Sequence, residues 1–409
     1  MATILFCPIT FNLAEVTRMI EVARALDPAH RAIFQGYEED FAQLIRDAGF
    51  EYRALRPALT PAERDQVMKF DQGKTLRTPF TDEFIGARVA AERALIRQTD
   101  AAAVVIGSNP TSMISARAEG LPLFYAVTWA LTRPQVDQTK RMGLVRGSGW
   151  FARAADRVAT SALRWAYNKA PLAPRAFRRV AVANGVRPLK TVVSLLEADR
   201  NLVAVMPWEL DGFTLPDGYE RVGPIFAHID APVPPIVTEL AARPEPLVYL
   251  GLGSSASREL ALAAASQLGR LPVNVVAPIR HYLKPGDVLP ANVHVVDLIP
   301  AHLLGGLVDA AVLHGGQGTV QTACATGIPF VGMGLQPEQV WNVDVCVKQG
   351  NAIALAPKQA GSPALADAVR RLLAEDSFRE AAGRVQRAYA QEDGAAASAR
   401  IIEAAVAGR

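Results

Sequence analysis

The stretch AAVLHGGQGTVQTACAT, residues 310–326, decides the fold of this chain. It opens with an apolar run that predicts a buried strand, passes through a glycine-rich turn and continues in a helical pattern. The amides that open a helix lack partners inside it and carry part of the positive end of the helix dipole. Glycines let this backbone approach an oxyanion closely, and His314 adds a ring nitrogen. The stretch therefore predicts a diphosphate site at the carboxyl end of a strand.

Short apolar runs alternate with helical patterns on both sides of this stretch, which predicts parallel sheets covered by helices. A proline-rich segment at residues 224–246 separates two such series and predicts an interdomain linker. We expect an α/β fold of two facing doubly wound Rossmann-like domains, residues 1–225 and 226–394, with a helical tail at 395–409. The predicted strands are Ile4–Cys7, Ala32–Gln35, Val104–Ile106, Leu123–Ala126, Leu202–Val205, Leu247–Leu250, Val273–Val276, Val293–Val295, Ala310–Leu313, Phe330–Val331 and Ala352–Leu355.

Composition places the chain among ordinary enzymes. With 409 residues, of which 50% are hydrophobic and 20% charged, the chain can form two to three domains of about 150 residues each. Three distant cysteines favour reduced thiols and a cytoplasmic location. The N-terminus begins on a short apolar run, which predicts a strand and no signal peptide. Neither zinc-ligand spacing nor an Asp-x-Asp pair occurs in the sequence, so no metal is expected.

A second glycine-rich strand exit and a polar pair extend the expected site. Residues 247–255, LVYLGLGSS, taken alone would favour a plain strand-to-helix turn. Because they belong to the same domain as His314, this second glycine-rich exit favours phosphate binding. Glu338 and Gln339 put a carboxylate beside an amide, a pair that binds several hydroxyls at once. Glu338 is equally well placed to stabilise a helix N-terminus, and both roles are compatible.

These residues together resemble the donor-site signature of nucleotide-sugar glycosyltransferases of the GT-B fold. They are most similar to the UDP-glycosyltransferase superfamily, which includes bacterial antibiotic and macrolide glycosyltransferases. The resemblance is strong over residues 222–356 and weak over 1–221. It implies inverting, metal-independent transfer from a nucleotide diphosphate sugar, first of all a UDP-sugar, to the hydroxyl of a small-molecule or lipid acceptor. The nucleotide sugar is a co-substrate, no cofactor is implied, and the tail would return to the N-terminal acceptor-binding domain.

The resemblance assigns three groups of donor-binding residues. The diphosphate would be held by Ser254, His314 and the amides of Gly316, Gly318 and Thr319. The hydroxyls of the donor sugar would be bound by Glu338 and Gln339, and the base would lie along Ile299 and Pro300. Leu298 and Ala301 stand where relatives often carry an aromatic residue and a glutamine, which leaves the base open.

Glu15 is the candidate catalytic base. Many relatives carry a histidine at the start of the first helix, but this chain has no histidine before His30, and Glu15 takes the matching position. A positioned base contributes about 10²–10⁴-fold to a rate. The other interpretation of Glu15 is an N-terminal helix glutamate stabilised by the dipole. The missing histidine also motivates an alternative function, that of a catalytically silent nucleotide-sugar-binding accessory protein.

Residues 140–190 carry twelve Lys and Arg side chains but a single acidic residue, Asp156. Aromatic residues are interleaved with them: Trp150, Phe151, Trp165, Tyr167 and Phe177. One interpretation is a solvated helical pair whose arginines extend over apolar neighbours. A second interpretation is peripheral contact with an anionic membrane, which would favour a glycolipid or peptidoglycan-precursor glycosyltransferase. A third interpretation is that the basic residues bind an acidic or phosphorylated acceptor. No nucleic-acid-binding motif accompanies the charge, so no nucleic acid partner is expected.

Overall fold

The computed structural model describes residues 1–71, 75, 77–145, 149–253 and 256–408. Within them the chain divides into two compact units. The first consists of Met1–Gly223 and the residues from Gly394 onward, and the second of Pro224–Asp393.

The first unit contains a parallel sheet covered by helices. Its strands are β1 Thr3–Cys7, β2 Arg31–Gly36, β3 Glu51–Ala54, β4 Ala101–Ile106, β5 Leu123–Val127, β6 Arg200–Val203 and β7 Tyr219–Arg221. Its helices are α1 Leu13–Arg24, α2 Ala42–Asp47, α3 Pro61–Asp71, α4 Asp82–Thr99, α5 Pro110–Ala118, α6 Arg133–Gln138, α7 Trp150–Asn168 and α8 Arg175–Ala183. The strand order β3-β2-β1-β4-β5-β6-β7 puts the topological switch point between β1 and β4, where ligands of such sheets bind.

The second unit repeats this plan with another parallel sheet. Its strands are β8 Leu247–Gly251, β9 Asn274–Ala277, β10 Val293–Val295, β11 Ala310–Leu313, β12 Phe330–Gly332 and β13 Ala352–Ala354. Its helices are α9 Pro235–Ala241, α10 Arg258–Leu268, α11 Gln317–Thr326, α12 Pro337–Gln349, α13 Pro363–Ala374 and α14 Asp376–Tyr389. The order β10-β9-β8-β11-β12-β13 puts its switch point between β8 and β11.

The central strands are buried on both faces, which explains their apolar sequences. In β4 and β11, for example, Val105, Ile106 and Val312 are completely inaccessible. The predicted central strands therefore lie close to the observed ones. The sequence prediction omitted β3 and β7, whose residues EYRA and YER alternate with charged side chains because both strands lie at sheet edges.

The sequence pattern predicted a linker over the whole proline-rich segment, but the structure shows that part of the segment is helical. It contains helix α9, which begins at Pro235 and buries Val237 and Leu240. Proline is compatible with the first turn of a helix, where its missing N–H would have no helical partner. The sequence pattern therefore did not reveal this short helix, because its first residue is one of several neighbouring prolines.

The C-terminal helix α15, Gly394–Ala407, belongs to the first unit. It packs against α1, and the backbone amide of Asp27 donates a hydrogen bond of 2.6 Å to Glu403 Oε1. The chain thus leaves the second unit after α14 and completes the helical cover of the first sheet.

Candidate functional site

The switch point of the second unit brings two glycine-rich strand exits together around one histidine. Strands β8 and β11 pair in parallel, with Gly251 opposite Leu313, and His314 follows at the strand end. The His314 side chain is only 6% exposed. A Cβ on Gly253 would come within 2.6 Å of its Cε1, and a Cβ on Gly316 would overlap its Nε2. Only glycine at these two positions leaves room for the ring.

The N-terminus of helix α11 lies at the same strand exits, next to His314. Gly316 stands at its N-cap and has no side chain with which to cap the first turn, so the opening amides face outward. Gly316, Gly318 and Thr319 are all partly exposed. A Cβ on Gly318 would meet no described atom within 4 Å, so the space in front of this turn is open. This arrangement suits an anion held by backbone N–H groups and the helix dipole.

The hydrogen bonds of His314 fix its tautomer. Its Nδ1 lies 3.3 Å from the carbonyl oxygen of Gly251, an atom that can only accept, so Nδ1 carries the proton. Burial lowers the pKa of His314, and the bond to Gly251 opposes this shift only in part. In the neutral ring Nε2 is therefore an acceptor. The sequence-based expectation that the histidine donates to a phosphate oxygen requires the protonated ring.

Helix α12 supplies the polar pair and packs on the same turn. Asn342 Nδ2 donates to the carbonyl oxygen of Gly315 at 3.0 Å and to Glu338 Oε1 at 2.6 Å. Gly315 has φ of 87°, and a Cβ there would lie 2.7 Å from the carbonyl oxygen of Gln339. Asn342 thus orients the Glu338 carboxylate relative to the histidine turn. The sequence assigned Asn342 no such role, although its i,i+4 spacing from Glu338 indicates a contact on one helix face.

Gln339 and Glu338 differ in their surroundings. Gln339 is 3% exposed, and its Oε1 accepts a 2.9 Å hydrogen bond from the amide of Leu335. Glu338 is half-buried and more accessible. The expected hydroxyl-binding pair therefore consists of an accessible carboxylate and an amide whose oxygen already has a partner.

The segment expected to lie along a base is mostly buried. Ile299 is 4% exposed, Pro300 is buried, and the 3₁₀ turn Ala301–Leu303 that follows packs against α11. Leu298, by contrast, is 46% exposed. The accessible apolar surface of this segment thus belongs to Leu298 and to Leu303, which is 45% exposed, and not to the side chain of Ile299. Ser254, the remaining predicted diphosphate ligand, lies outside the described residues.

In the first unit, Glu15 lies at the switch point between β1 and β4. Its Oε2 accepts hydrogen bonds from the amides of Ile9, at 3.1 Å, and Ser108, at 3.0 Å. These amides belong to the loops that follow β1 and β4. The Oε1 atom accepts a longer hydrogen bond of 3.4 Å from Asn12 Nδ2, and the Ser108 side chain also hydrogen-bonds to the carboxylate. The Glu15 carboxylate therefore joins the loops that follow β1 and β4 through its Oε2 atom.

Burial raises the pKa of Glu15, and the hydrogen bonds from Ser108 and Ile9 and the charge of Arg18 oppose the shift. Its side chain is 7% exposed. Gly107 leaves the space in which the carboxylate lies, since a Cβ there would overlap it. Sequence reasoning found Glu15 but missed Gly107 and Ser108, because a contact between residues 93 positions apart has no local signal.

Comparison with known proteins identifies the class of enzyme. Residues 263–404 match the C-terminal domain model of the erythromycin biosynthesis protein CIII-like family. A PGL/p-HBAD biosynthesis glycosyltransferase of Mycobacterium tuberculosis (strain H37Ra) is 26% identical over 94% of this chain and 88% of its own. The crystal structure of the glycosyltransferase VinC in complex with dTDP superposes with a TM-score of 0.70 over the whole of both chains, at 21% identity. The chain is a GT-B glycosyltransferase.

Other relatives of this GT-B glycosyltransferase belong to the same class. The TDP-daunosamine transferase DnrS of Streptomyces peucetius is 32% identical over 41% of the chain and 40% of its own. The glycosyltransferase SnogD of Streptomyces nogalater has a TM-score of 0.65 at 20% identity, covering 99% of both chains. The resemblance drawn from the histidine–glycine motif, the fold class and the assignment as an enzyme are thereby confirmed.

Two absences hold for the part of this GT-B glycosyltransferase that the structure describes. Among the described residues, no three His, Cys, Asp or Glu side chains cluster in a way that could hold a metal ion. Metal independence stays a prediction, because it concerns the reaction and needs an assay. In the described part of the chain, every helix is too short or too polar to cross a bilayer.

Proposed function

We propose that this glycosyltransferase transfers a sugar, with inversion and without a metal, from a nucleoside diphosphate sugar to an acceptor hydroxyl. The observation that carries the proposal is the His314 ring, held between Gly253 and Gly316 at the open start of α11. Inversion rests on the family resemblance and corresponds to a single displacement. The acceptor oxygen attacks the anomeric carbon, the bond to the diphosphate breaks, and the acceptor proton passes to a base.

The donor would lie across the switch point of the second unit. The amides of Gly316, Gly318 and Thr319, together with His314, would hold the diphosphate and stabilise the charge that it gains as it leaves. Donors fixed in advance at the site of developing charge are often the largest contribution to catalysis. They supply here what a metal ion supplies in other transferases.

The sugar and the base would occupy the two sides of this diphosphate site. Glu338, oriented by Asn342, and Gln339 would bind sugar hydroxyls. The exposed Leu298 would cover one face of the base, with the backbone of Ile299 and Pro300 along its edge. We propose a pyrimidine nucleotide, with UDP as the first candidate. A dTDP-sugar is the second, because VinC was solved with dTDP and DnrS is named as a TDP-daunosamine transferase.

Glu15 would accept the acceptor proton through Oε1. The Oε2 atom is engaged by the amides of Ile9 and Ser108, which hold the carboxylate in place. The raised pKa of Glu15, caused by burial, brings it closer to neutral pH, where a base is most effective. The purely structural interpretation, in which Glu15 only joins two loops, predicts that substitution lowers the melting temperature with little loss of kcat.

The acceptor would be a natural product or the precursor of a glycolipid. Relatives that match over almost the whole chain include PGL/p-HBAD biosynthesis enzymes, and solved structures of the same fold include spinosyn glycosyltransferases. A lipid-borne acceptor is favoured by one further observation, the exposed aromatic side of α7. Transfer to a lipid-borne acceptor should be compared with transfer to a water-soluble aglycone.

A donor screen followed by a turnover assay tests the proposal. A nucleotide sugar present at 100 times its dissociation constant adds about 2.7 kcal/mol to the free energy of unfolding, which a thermal-shift assay detects. UDP-, dTDP- and GDP-sugars are compared, each with and without EDTA, and NMR of the product gives the anomeric configuration. Failure of every nucleotide sugar to raise the melting temperature contradicts the donor site. A shift without hydrolysis or transfer on any acceptor favours the silent accessory protein.

A further inference from the structure

Helix α7 presents its apolar side to solvent. Trp150, Phe151, Val158 and Trp165 are 70%, 72%, 70% and 63% exposed. Phe151, Val158 and Trp165 follow one another at intervals of seven residues, which puts them on the same side of the helix. The rings of Trp150 and Phe151 are 4.6 Å apart and extend this side at the N-terminus. We call these four residues the α7 surface.

The opposite side of the same helix is polar and buried. Asp156 accepts hydrogen bonds from the amides of Gly143, at 3.2 Å, and Val145, at 3.0 Å. Thr160 Oγ1 accepts a bond of 3.0 Å from the amide of Met142. These polar contacts fix the rotation of α7, because turning the aromatic residues inward would strip buried groups of their partners. The outward position of the α7 surface is therefore built into the fold.

The exposed charged residues of helix α7 itself are all positive. Arg153 and Arg157 are exposed on the helix, whereas Arg164 is directed inward to the carbonyl oxygens of Val136 and Thr139. Asp156, the only acidic residue between positions 140 and 190, is 1% exposed. The surface therefore combines aromatic and aliphatic side chains with positive charge and has no acidic residue of that segment at the surface.

We propose that the α7 surface docks on an anionic lipid bilayer. Tryptophan and phenylalanine partition to the boundary between headgroups and acyl chains, and arginines reach from there to lipid phosphates. A second copy of the chain is a poorer occupant, because pairing two α7 surfaces would bring Arg153 and Arg157 toward their own counterparts. Docking does not depend on the donor site, and it would bring the enzyme to an acceptor that resides in the membrane.

Vesicle co-sedimentation of the full chain tests the proposal. The probes are phosphatidylcholine vesicles with and without about one third phosphatidylglycerol. We expect binding to the anionic vesicles only, with a blue shift of tryptophan emission as Trp150 and Trp165 leave water. Binding should fall steeply in 1 M salt, where the Debye length is about 3 Å. Equal binding to both vesicles, or to neither, overturns the proposal.

Substitutions on the α7 surface complete the test. We expect Trp150→Ser/Phe151→Ser/Val158→Ser/Trp165→Ser to reduce vesicle binding at least tenfold while the melting temperature and the donor-induced thermal shift stay unchanged. The control is Val288→Ser in the second unit, where the side chain is 90% exposed. Binding that survives the quadruple substitution contradicts docking through α7. A concentration-dependent dimer that the substitution dissociates, without vesicle binding, would show a copy interface and also overturn the proposal.

A charge-reversal pair separates attraction by arginine from insertion of aromatic residues. Arg153→Glu/Arg157→Glu is expected to abolish the preference for anionic vesicles. Arg384→Glu/Arg400→Glu, at exposed positions of α14 and α15, changes the net charge by the same amount and is expected to retain it. Equal losses in both pairs would mean that net charge alone governs binding, which contradicts a defined docking surface.

Discussion

Gly107 and Glu15 form a contact that only glycine permits, since the Glu15 carboxylate occupies the space in which a Cβ of residue 107 would stand. We expect Gly107→Ala to displace the carboxylate and leave the partly buried amides of Ile9 and Ser108 without their acceptor. Each such loss costs about 1–3 kcal/mol. Transfer should fall sharply, whereas donor affinity should not change, because the proposed donor-binding residues belong to the second unit.

The control for Gly107→Ala is Gly86→Ala in helix α4 of the same unit. A Cβ on Gly86 would meet no described atom within 4 Å, and alanine favours a helix by up to about 1 kcal/mol over glycine. Circular dichroism melting and a transfer assay compare the two variants. If Gly107→Ala retains full activity, the position of the Glu15 carboxylate has no role in transfer.

Glu15→Gln distinguishes a base from a structural carboxylate. The amide oxygen of glutamine can still accept from Ile9 and Ser108, so the fold should tolerate the change. Loss of a base lowers kcat by about 10²–10⁴-fold with little change in the KM of the donor. Glu21→Gln on the same helix is the matched control. A fall in kcat of less than about tenfold, accompanied by a lower melting temperature, would assign Glu15 a structural role only.

The pH profile gives an independent check on Glu15. Because burial raises the pKa of this carboxyl, the basic form appears at higher pH than for an exposed glutamate, and kcat should rise through that raised pKa. The same shift makes the carboxylate the disfavoured form in the fold. Its contribution to stability is therefore largest below the unfolded pKa and is lost as pH rises through the folded pKa. Glu15→Gln should show neither the rise of kcat nor the loss of stability with increasing pH, and pH–rate profiles and melting curves at several pH values measure these two effects.

Donor binding should depend on the protonation of His314. Burial lowers its pKa in the empty site, and a diphosphate beside Nε2 favours the charged ring. Affinity for a nucleotide sugar is therefore expected to decrease as pH rises between the pKa of the empty site and that of the occupied site. Calorimetry in buffers of different ionisation enthalpy measures the proton taken up. His314→Gln should bind more weakly without this uptake, and identical pH dependence in the variant would contradict the assignment.

Gly318→Ala separates donor binding from stability. Alanine in this first helical turn meets no described atom and should raise the free energy of unfolding by about 0.5–1 kcal/mol. Its methyl group would enter the space proposed for the diphosphate. The loss of one hydrogen bond to a charged group, about 1.5–3 kcal/mol, would weaken donor binding at least tenfold. Gly316→Ala, which overlaps the His314 ring, should instead lose both stability and binding. Unchanged affinity in Gly318→Ala would place the diphosphate elsewhere.

Local sequence was sufficient for the central strands and for the histidine–glycine turn. Strands such as β4 and β11 are covered on both faces, so their sequences are continuously apolar and easy to recognise. A glycine-rich turn between such a strand and a helix has few other uses than close approach to an anion. Edge strand β3 and helix α9 were missed because charged residues and prolines there obscure the pattern.

The sequence by itself determined the class of fold and the strand–turn–helix at His314, because each depends on residues that are neighbours along the chain. The family resemblance added the candidate Glu15. Only the tertiary structure decided which nitrogen of His314 carries the proton, since that depends on the carbonyl of Gly251 on another strand. It likewise decided the partners of Glu15 and the outward side of α7. These features arise from packing between distant segments, and composition or periodicity does not encode which segments will meet.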